Sequence, residues 1–158
     1  MNVNTTVHED ASQETNAAER VLNLALAAFK RADFPEVTKH FSREFTYSDY
    51  ALELEFKNKE QLITFFARTR ELFPDSERKD NIVLSSADRI VSQWTLTGTK
   101  AQPFLGGRTI HVPIQARGVS IVEIENAKIS HWSEYYDQIT SRRYCVAALF
   151  IDWESVCC

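Results

Sequence analysis

From residue 81 onward the chain is written in period two. The stretches 81–85, 89–99, 108–125 and 128–137 alternate apolar and polar residues and are rich in Val, Ile, Thr and Trp. Residues of that kind, in that alternation, predict β-strands. Asn126-Ala127 joins the last two stretches as a tight turn, since Asn tolerates the positive φ such a turn needs. Phe104-Leu105-Gly106-Gly107 reads as a loop between two long strands. The first half has a different texture. Ala18, Val21, Leu22, Ala25 and Phe29 recur at helical spacing, with Glu19, Arg20 and Lys30 off the stripe, which predicts a helix over 17–31. A short second helix starts at Pro35, whose missing N–H costs nothing in a first turn, and ends near Phe41. Phe45, Tyr47 and Asp49 alternate with Thr46 and Ser48 as in a strand. Asn58 with Gln61 three residues on has the form of a capping box, opening a helix to about Phe73 with Leu62, Phe65, Phe66 and Thr69 inward. Helices segregated from a run of long antiparallel strands define an α+β fold. Such a sheet, strongly bent, wraps around the helices and can leave a cavity.

Several function classes fall away on composition. The chain has 158 residues, 44% of them hydrophobic, which suits one packed domain with no need of a disulfide or metal staple. Net charge is −4 and Lys and Arg are scattered, which argues against nucleic acid as a partner. No apolar run approaches the ~20 residues of a membrane span. Residues 1–14 are polar and acidic, without the pattern of a secretory signal, and are expected to be loosely ordered. The domain is expected over 15–143. The three cysteines, Cys145, Cys157 and Cys158, cluster near the C-terminus, so a disulfide framework is not expected and a cytoplasmic setting is. The apolar tail 144–158 is expected to dock on the barrel or a dimer mate, or to lid the pocket. Its terminal Cys-Cys has the form of a double prenylation signal, but nothing basic precedes it. His111 and His131 have no partner at metal-ligand spacing, so no metal is expected. No phosphate loop or nucleophile elbow is present, and no cofactor is expected.

Three motifs carry a family resemblance: WTLTGT at 94–99, GGRTIHVPIQARGVSIVEIENAKI at 106–129 and HWSEYYD at 131–137. In this order and spacing they resemble the nuclear transport factor 2-like superfamily, and within it the branch of SnoaL-like polyketide cyclases and limonene epoxide hydrolases. The likeness covers residues 17–137. It implies a cone-shaped α+β barrel with an apolar internal pocket, often a homodimer, acting on a hydrophobic small molecule. SnoaL-like cyclases carry a catalytic Asp at the position of Glu134. Limonene epoxide hydrolases carry a water-activating Asp there, paired with an Arg-x-Asp on an earlier strand. The positions matching that pair are taken to be Gln93 and Thr95, so the Arg and second Asp are read as missing, which argues against hydrolysis. Ketosteroid isomerases carry their base on the first strand, where Asp49 is the nearest match, but the oxyanion-hole Tyr of their first helix has no counterpart here. Ser120 stands where a cyclase of this type has a pocket His.

The residues have their own reading beside the resemblance. Alternation puts Trp132, Glu134 and Tyr136 on one strand face. If that face is inward, desolvation raises the Glu134 pKa and makes it an acid/base near neutral pH; if outward, Glu134 is merely solvated. Tyr47 and Asp49 share a face, where Tyr could donate to an enolate oxygen and Asp could move protons. Gln93 and Thr95 are expected in the pocket by resemblance, with Ser120, and Trp132, Tyr50 and Phe66 as its apolar wall. Asp137 reads as a strand-end cap. The expectation is a cofactor-free cyclase or isomerase that moves a proton next to a carbonyl in a polyketide-like or terpenoid molecule, with Glu134, Asp49 and Tyr47 as catalytic residues. A non-catalytic ligand-binding or dimerisation module and an epoxide-opening enzyme are the alternatives.

Overall fold

The computed structural model describes residues 6–104 and 107–137, with side chains over 17–100 and 107–137. Three helices, α1 (Thr6–Lys30), α2 (Phe34–Lys39) and α3 (Lys59–Leu72), precede or interrupt six strands. The strands are β1 (Phe41–Asp49), β2 (Leu54–Phe56), β3 (Glu77–Ser85), β4 (Arg89–Phe104), β5 (Arg108–Glu125) and β6 (Lys128–Tyr136). They form one sheet in the order β2-β1-β6-β5-β4-β3. The α+β architecture is therefore as the residues predict. The sheet is open at β2 and β3, and β1 runs parallel to β6 while every other pair is antiparallel.

Local chemistry sets the element ends. Asp33 caps α2 by accepting the Glu36 N–H, with Pro35 in the first turn. Asn58 caps α3 by accepting the Gln61 N–H at 3.1 Å. Asn126 and Ala127 both have positive φ, 51° and 57°, making the tight β5–β6 turn. The structure also departs from periodicity. α1 begins at Thr6, inside the segment expected to be loose, because no Gly or Pro stops the helix ahead of its apolar stripe. β3 begins at Glu77, four residues before the alternation of 81–85. The whole tail 138–158, with Cys145, Cys157 and Cys158, lies outside the described residues.

Register lays the sheet's inner face out in rows. Phe56, Tyr47, Trp132, Val122 and Ile90 form one. Tyr47, Trp132, Val122 and Ile90 pack with Leu22, Ala25, Phe34, Leu62 and Phe66 of the helices into one buried core. The next row is polar. Asp49, Glu134, Ser120 and Ser92 sit side by side on β1, β6, β5 and β4, each at most 4% exposed. Four adjacent strands thus bring buried polar groups to one level of an otherwise apolar face. Among the described residues, no helix is long and apolar enough to cross a membrane.

Candidate active site

Glu134 faces inward, as its aromatic neighbours on β6 imply, and is 3% exposed. Its carboxylate accepts four hydrogen bonds. Oε1 takes Arg78 Nη1 at 2.7 Å and Trp132 Nε1 at 2.8 Å. Oε2 takes Trp94 Nε1 and Ser120 Oγ, both at 2.8 Å. A carboxylate has about four acceptor positions, and all are occupied.

Arg78 is the counter-charge, and the sequence reading missed it. It grips Asp80 with Nε and Nη2, reaches Glu134 with Nη1, and donates to Ser120 Oγ from Nη2 at 2.6 Å. Ser92 Oγ adds a further bond to Asp80 at 3.0 Å. The guanidinium lies over the Trp94 ring at 4.7 Å and near Trp132 at 5.9 Å. Burial works against this charge, but Glu134 and Asp80 more than offset it and hold Arg78 above its already high pKa. Arg78-Lys79-Asp80 is an Arg-x-Asp on an earlier strand, paired with Glu134. The placement of that pair at Gln93 and Thr95 is therefore corrected. Trp94 points inward, so its neighbours Gln93 and Thr95 take the outer face, where Gln93 is exposed opposite Asn81 and Val119. The Arg-x-Asp was legible as letters, but Glu77-Arg78-Lys79-Asp80 reads as a solvated turn until β4 pairs with it.

Asp49 holds the other end of the row. Its Oδ1 accepts the Leu52 N–H at 2.9 Å and its Oδ2 the Tyr136 hydroxyl at 3.1 Å. Burial pushes its pKa up to about 6; the Leu52 and Tyr136 bonds pull down, and the Glu134 charge pushes up. Tyr136 is raised by burial and by Asp49. Tyr47, wholly inside, is raised well above the usual phenol by burial, then by Glu134 and Asp49. Tyr47, Asp49, Glu134 and Ser120 are thus brought together. Ser120 carries a hydroxyl link between Arg78 and Glu134.

Of the residues expected as a pocket wall, Trp132 and Phe66 are buried and Tyr50 is not. Trp132 is 6% exposed and both stacks on Phe41 and binds Glu134. Phe66, on the inward face of α3, is core and edge-on to Phe29 and Tyr47. Tyr50 is corrected: it is 55% exposed and stacks on Tyr135 at 4.6 Å, because it follows Asp49 past the strand's end. Asp137 follows β6 and is exposed. Gly118 makes room for the site: a Cβ there would collide with the Trp94 indole and the Tyr135 carbonyl. A concavity of about 400 Å³ lined by Arg43, Phe45, Lys57, Asn58, Lys59 and Glu60 contains none of the site residues. Among the described residues no cluster of His, Cys, Asp or Glu could hold a metal ion.

The fold matches an NTF2-like protein from Burkholderia xenovorans with TM-score 0.67 at 13% identity, covering 82% of this chain and 96% of that one. It matches an NTF2-like protein of unknown function from Burkholderia pseudomallei with TM-score 0.64 at 17% identity, covering 81% and 96%. It matches an LEH-like epoxide hydrolase of M. tuberculosis with TM-score 0.61 at 16% identity, covering 86% and 94%. No curated protein matches the chain. The family model for SnoaL-like polyketide cyclases matches residues 19–144, a span that holds every residue of the buried polar row and its Arg78 counter-charge, and the chain belongs to that family.

Proposed function

We propose that this protein is a cofactor-free cyclase or isomerase that moves a proton next to a carbonyl in a hydrophobic polyketide-like or terpenoid molecule. One observation carries the reading: two carboxyls, Asp49 and Glu134, are buried on adjacent strands in an aromatic interior that also holds a fixed cation. Burying ionisable groups is expensive, and such groups concentrate where proton transfer is needed. In the reaction, a carboxylate takes the proton from carbon, and the C–H electron pair becomes an enolate. A cation and phenol stabilise its oxygen. The enolate carbon then attacks a second carbonyl, whose oxygen takes up the proton, or the proton returns at another carbon.

A second reading is favoured by the Arg78-Lys79-Asp80 motif and its bond to Glu134. The resemblance asks for such an Arg-x-Asp in epoxide-opening enzymes, and an epoxide hydrolase is among the structural neighbours. In that chemistry a carboxylate takes a proton from water as its oxygen bonds to one epoxide carbon, the C–O bond breaks, and an acid protonates the leaving oxygen.

One pair of assays separates the two. Benzoylacetone is incubated with the protein in deuterium oxide, and styrene oxide in oxygen-18 water. Enzyme-dependent deuterium at the carbon between the carbonyls supports the cyclase or isomerase. Labelled diol without deuterium exchange replaces it with epoxide opening. Neither product, with either probe, rejects catalysis on these bonds and favours a binding module.

A further inference from the structure

Two buried carboxyls share the site, and their surroundings divide the work unequally. The relevant quantity is the number of lone pairs each can offer a substrate. A carboxylate that is to take a proton from carbon needs one acceptor position open and aimed at the reacting atom. Glu134 has none left. Arg78, Trp132, Trp94 and Ser120 occupy both oxygens at 2.7 to 2.8 Å. The donors come from β3, β4, β5 and β6, so moving Glu134 would disturb four strands at once. Two of the donors are indole N–H groups, which cannot turn to another acceptor without moving a large ring.

Asp49 is held differently. Its Oδ1 is bound by the turn at Leu52, and Ala51 adds a backbone bond to the carboxyl. Among the described side chains, only the Tyr136 hydroxyl donates to it, at Oδ2 in a longer bond of 3.1 Å. Three donors for about four acceptor positions leave one lone pair of the carboxyl without a donor among the described residues. Tyr47, two residues earlier on the same face, donates its hydroxyl to no described residue, so a phenol donor stands beside the open carboxyl. Arg78 keeps one Nη1–H without a partner among the described residues, while its other N–H groups are spent on Asp80, Ser120 and Glu134.

We infer that Asp49 is the carboxyl that exchanges a proton with the substrate, and that Glu134 is a positioning residue that fixes Arg78 between the two indoles without itself giving up or taking a proton. The inference rests on the acid–base reading above and reverses the expectation that Glu134 is the base. Arg78 then presents its remaining N–H, with the Tyr47 hydroxyl, to the substrate oxygen as charge develops on it. The charged and titratable groups facing Asp49 are Glu134 and Tyr136 from β6 and Tyr47 from its own strand. Removing the Glu134 charge therefore makes Asp49 easier to ionise, since that charge now opposes it.

The test uses the full chain and two readouts. Carboxyl-carbon NMR with labelled aspartate, assigned against Asp49→Asn, follows Asp49 through the neutral range without any substrate. Deuterium exchange into benzoylacetone follows the chemistry. The expected result is an Asp49 midpoint about 6 that governs the rise of the exchange rate with pH. Asp49→Asn then loses the exchange and its pH midpoint. Glu134→Gln keeps a slower exchange whose midpoint moves to lower pH. Exchange that survives in Asp49→Asn and vanishes in Glu134→Gln overturns the assignment. Where Glu134→Gln does not fold, Trp94→Phe removes one donor from Glu134 and keeps the ring. A positioning Glu134 predicts slower exchange, and faster exchange means that a freed Glu134 lone pair is the base. If the wild-type protein does not exchange benzoylacetone, the acid–base reading falls and the proton transfer given to Asp49 falls with it, whereas exchange lost only in Glu134→Gln overturns the assignment alone. Where the wild type does exchange, an Asp49 midpoint near the ordinary ~4 of an aspartate overturns the role given to Asp49.

Discussion

Trp94 and Glu134 stand forty residues apart and are joined by a 2.8 Å hydrogen bond from the indole N–H to Oε2. The bond crosses β5, the strand between them. It is possible because β5 has Gly118 opposite Trp94, leaving the indole room to lie across the backbone. A backbone position with no side chain therefore controls a charged group on the neighbouring strand.

Gly118→Ala tests this relationship. The added Cβ meets the Trp94 ring and the Tyr135 carbonyl, so the indole is displaced and its bond to Glu134 broken. Overpacking of this kind costs about 1–3 kcal/mol. Urea unfolding is expected to show that loss, and near-ultraviolet circular dichroism a changed tryptophan environment. An unchanged tryptophan signal would place the indole's orientation outside Gly118's control.

Arg78→Met keeps much of the side-chain volume and removes the charge. Buried Glu134 and half-buried Asp80 then lack their cation, and breaking a buried pair from one side costs about 3–5 kcal/mol. Arg78→Lys is expected to recover only part of this, since an ammonium cannot grip Asp80 through two nitrogens while reaching Glu134. Denaturant midpoints of the three proteins, in the order wild type, Lys, Met, check the prediction.

Stability is expected to fall as pH rises across the Asp49 transition. The unfolded Asp loses its proton near the ordinary value of 3.8, and the folded one near about 6. Between these values the native state holds a proton that the unfolded chain has released. Unfolding therefore becomes easier as pH rises through the window, by about 2 kcal/mol once partial solvent screening is allowed for. Asp49→Asn has no such transition. It is expected to match the wild type in acid and exceed it above the window, seen as a higher melting temperature at neutral pH. A variant less stable than wild type at neutral pH would contradict the sign.

Tyr136→Phe removes the hydroxyl that Asp49 accepts. That bond lowers the Asp49 pKa, so its loss should carry the Asp49 midpoint above about 6. Carboxyl-carbon NMR reads the shift. Glu134 makes no bond to Tyr136 among the described hydrogen bonds, so the indole N–H signals of Trp94 and Trp132 are expected to stay in place.

Most of the fold follows from local rules written along the chain. The alternation of 89–99, 108–125 and 128–137, the caps at Asn58 and Asp33, and the turn at Asn126-Ala127 each act within a few residues, and their physics needs no partner from far away. The same holds for Trp132, Glu134 and Tyr136 sharing a face, because a strand alternates whatever it pairs with. Which face is inward, and what meets it there, is settled only by packing. The charged run at Glu77 to Asp80 becomes a strand because β4 offers it a register, and that register delivers Arg78 to Glu134. Gln93 and Thr95 are turned outward by the inward Trp94 between them, and Tyr50 leaves the interior as the chain passes the strand's end. The roles of Asp49 and Glu134 depend on which donors reach each carboxylate. Those donors come from strands far apart in sequence, so hydrogen-bond occupancy is a property of the folded sheet and not of any segment within it.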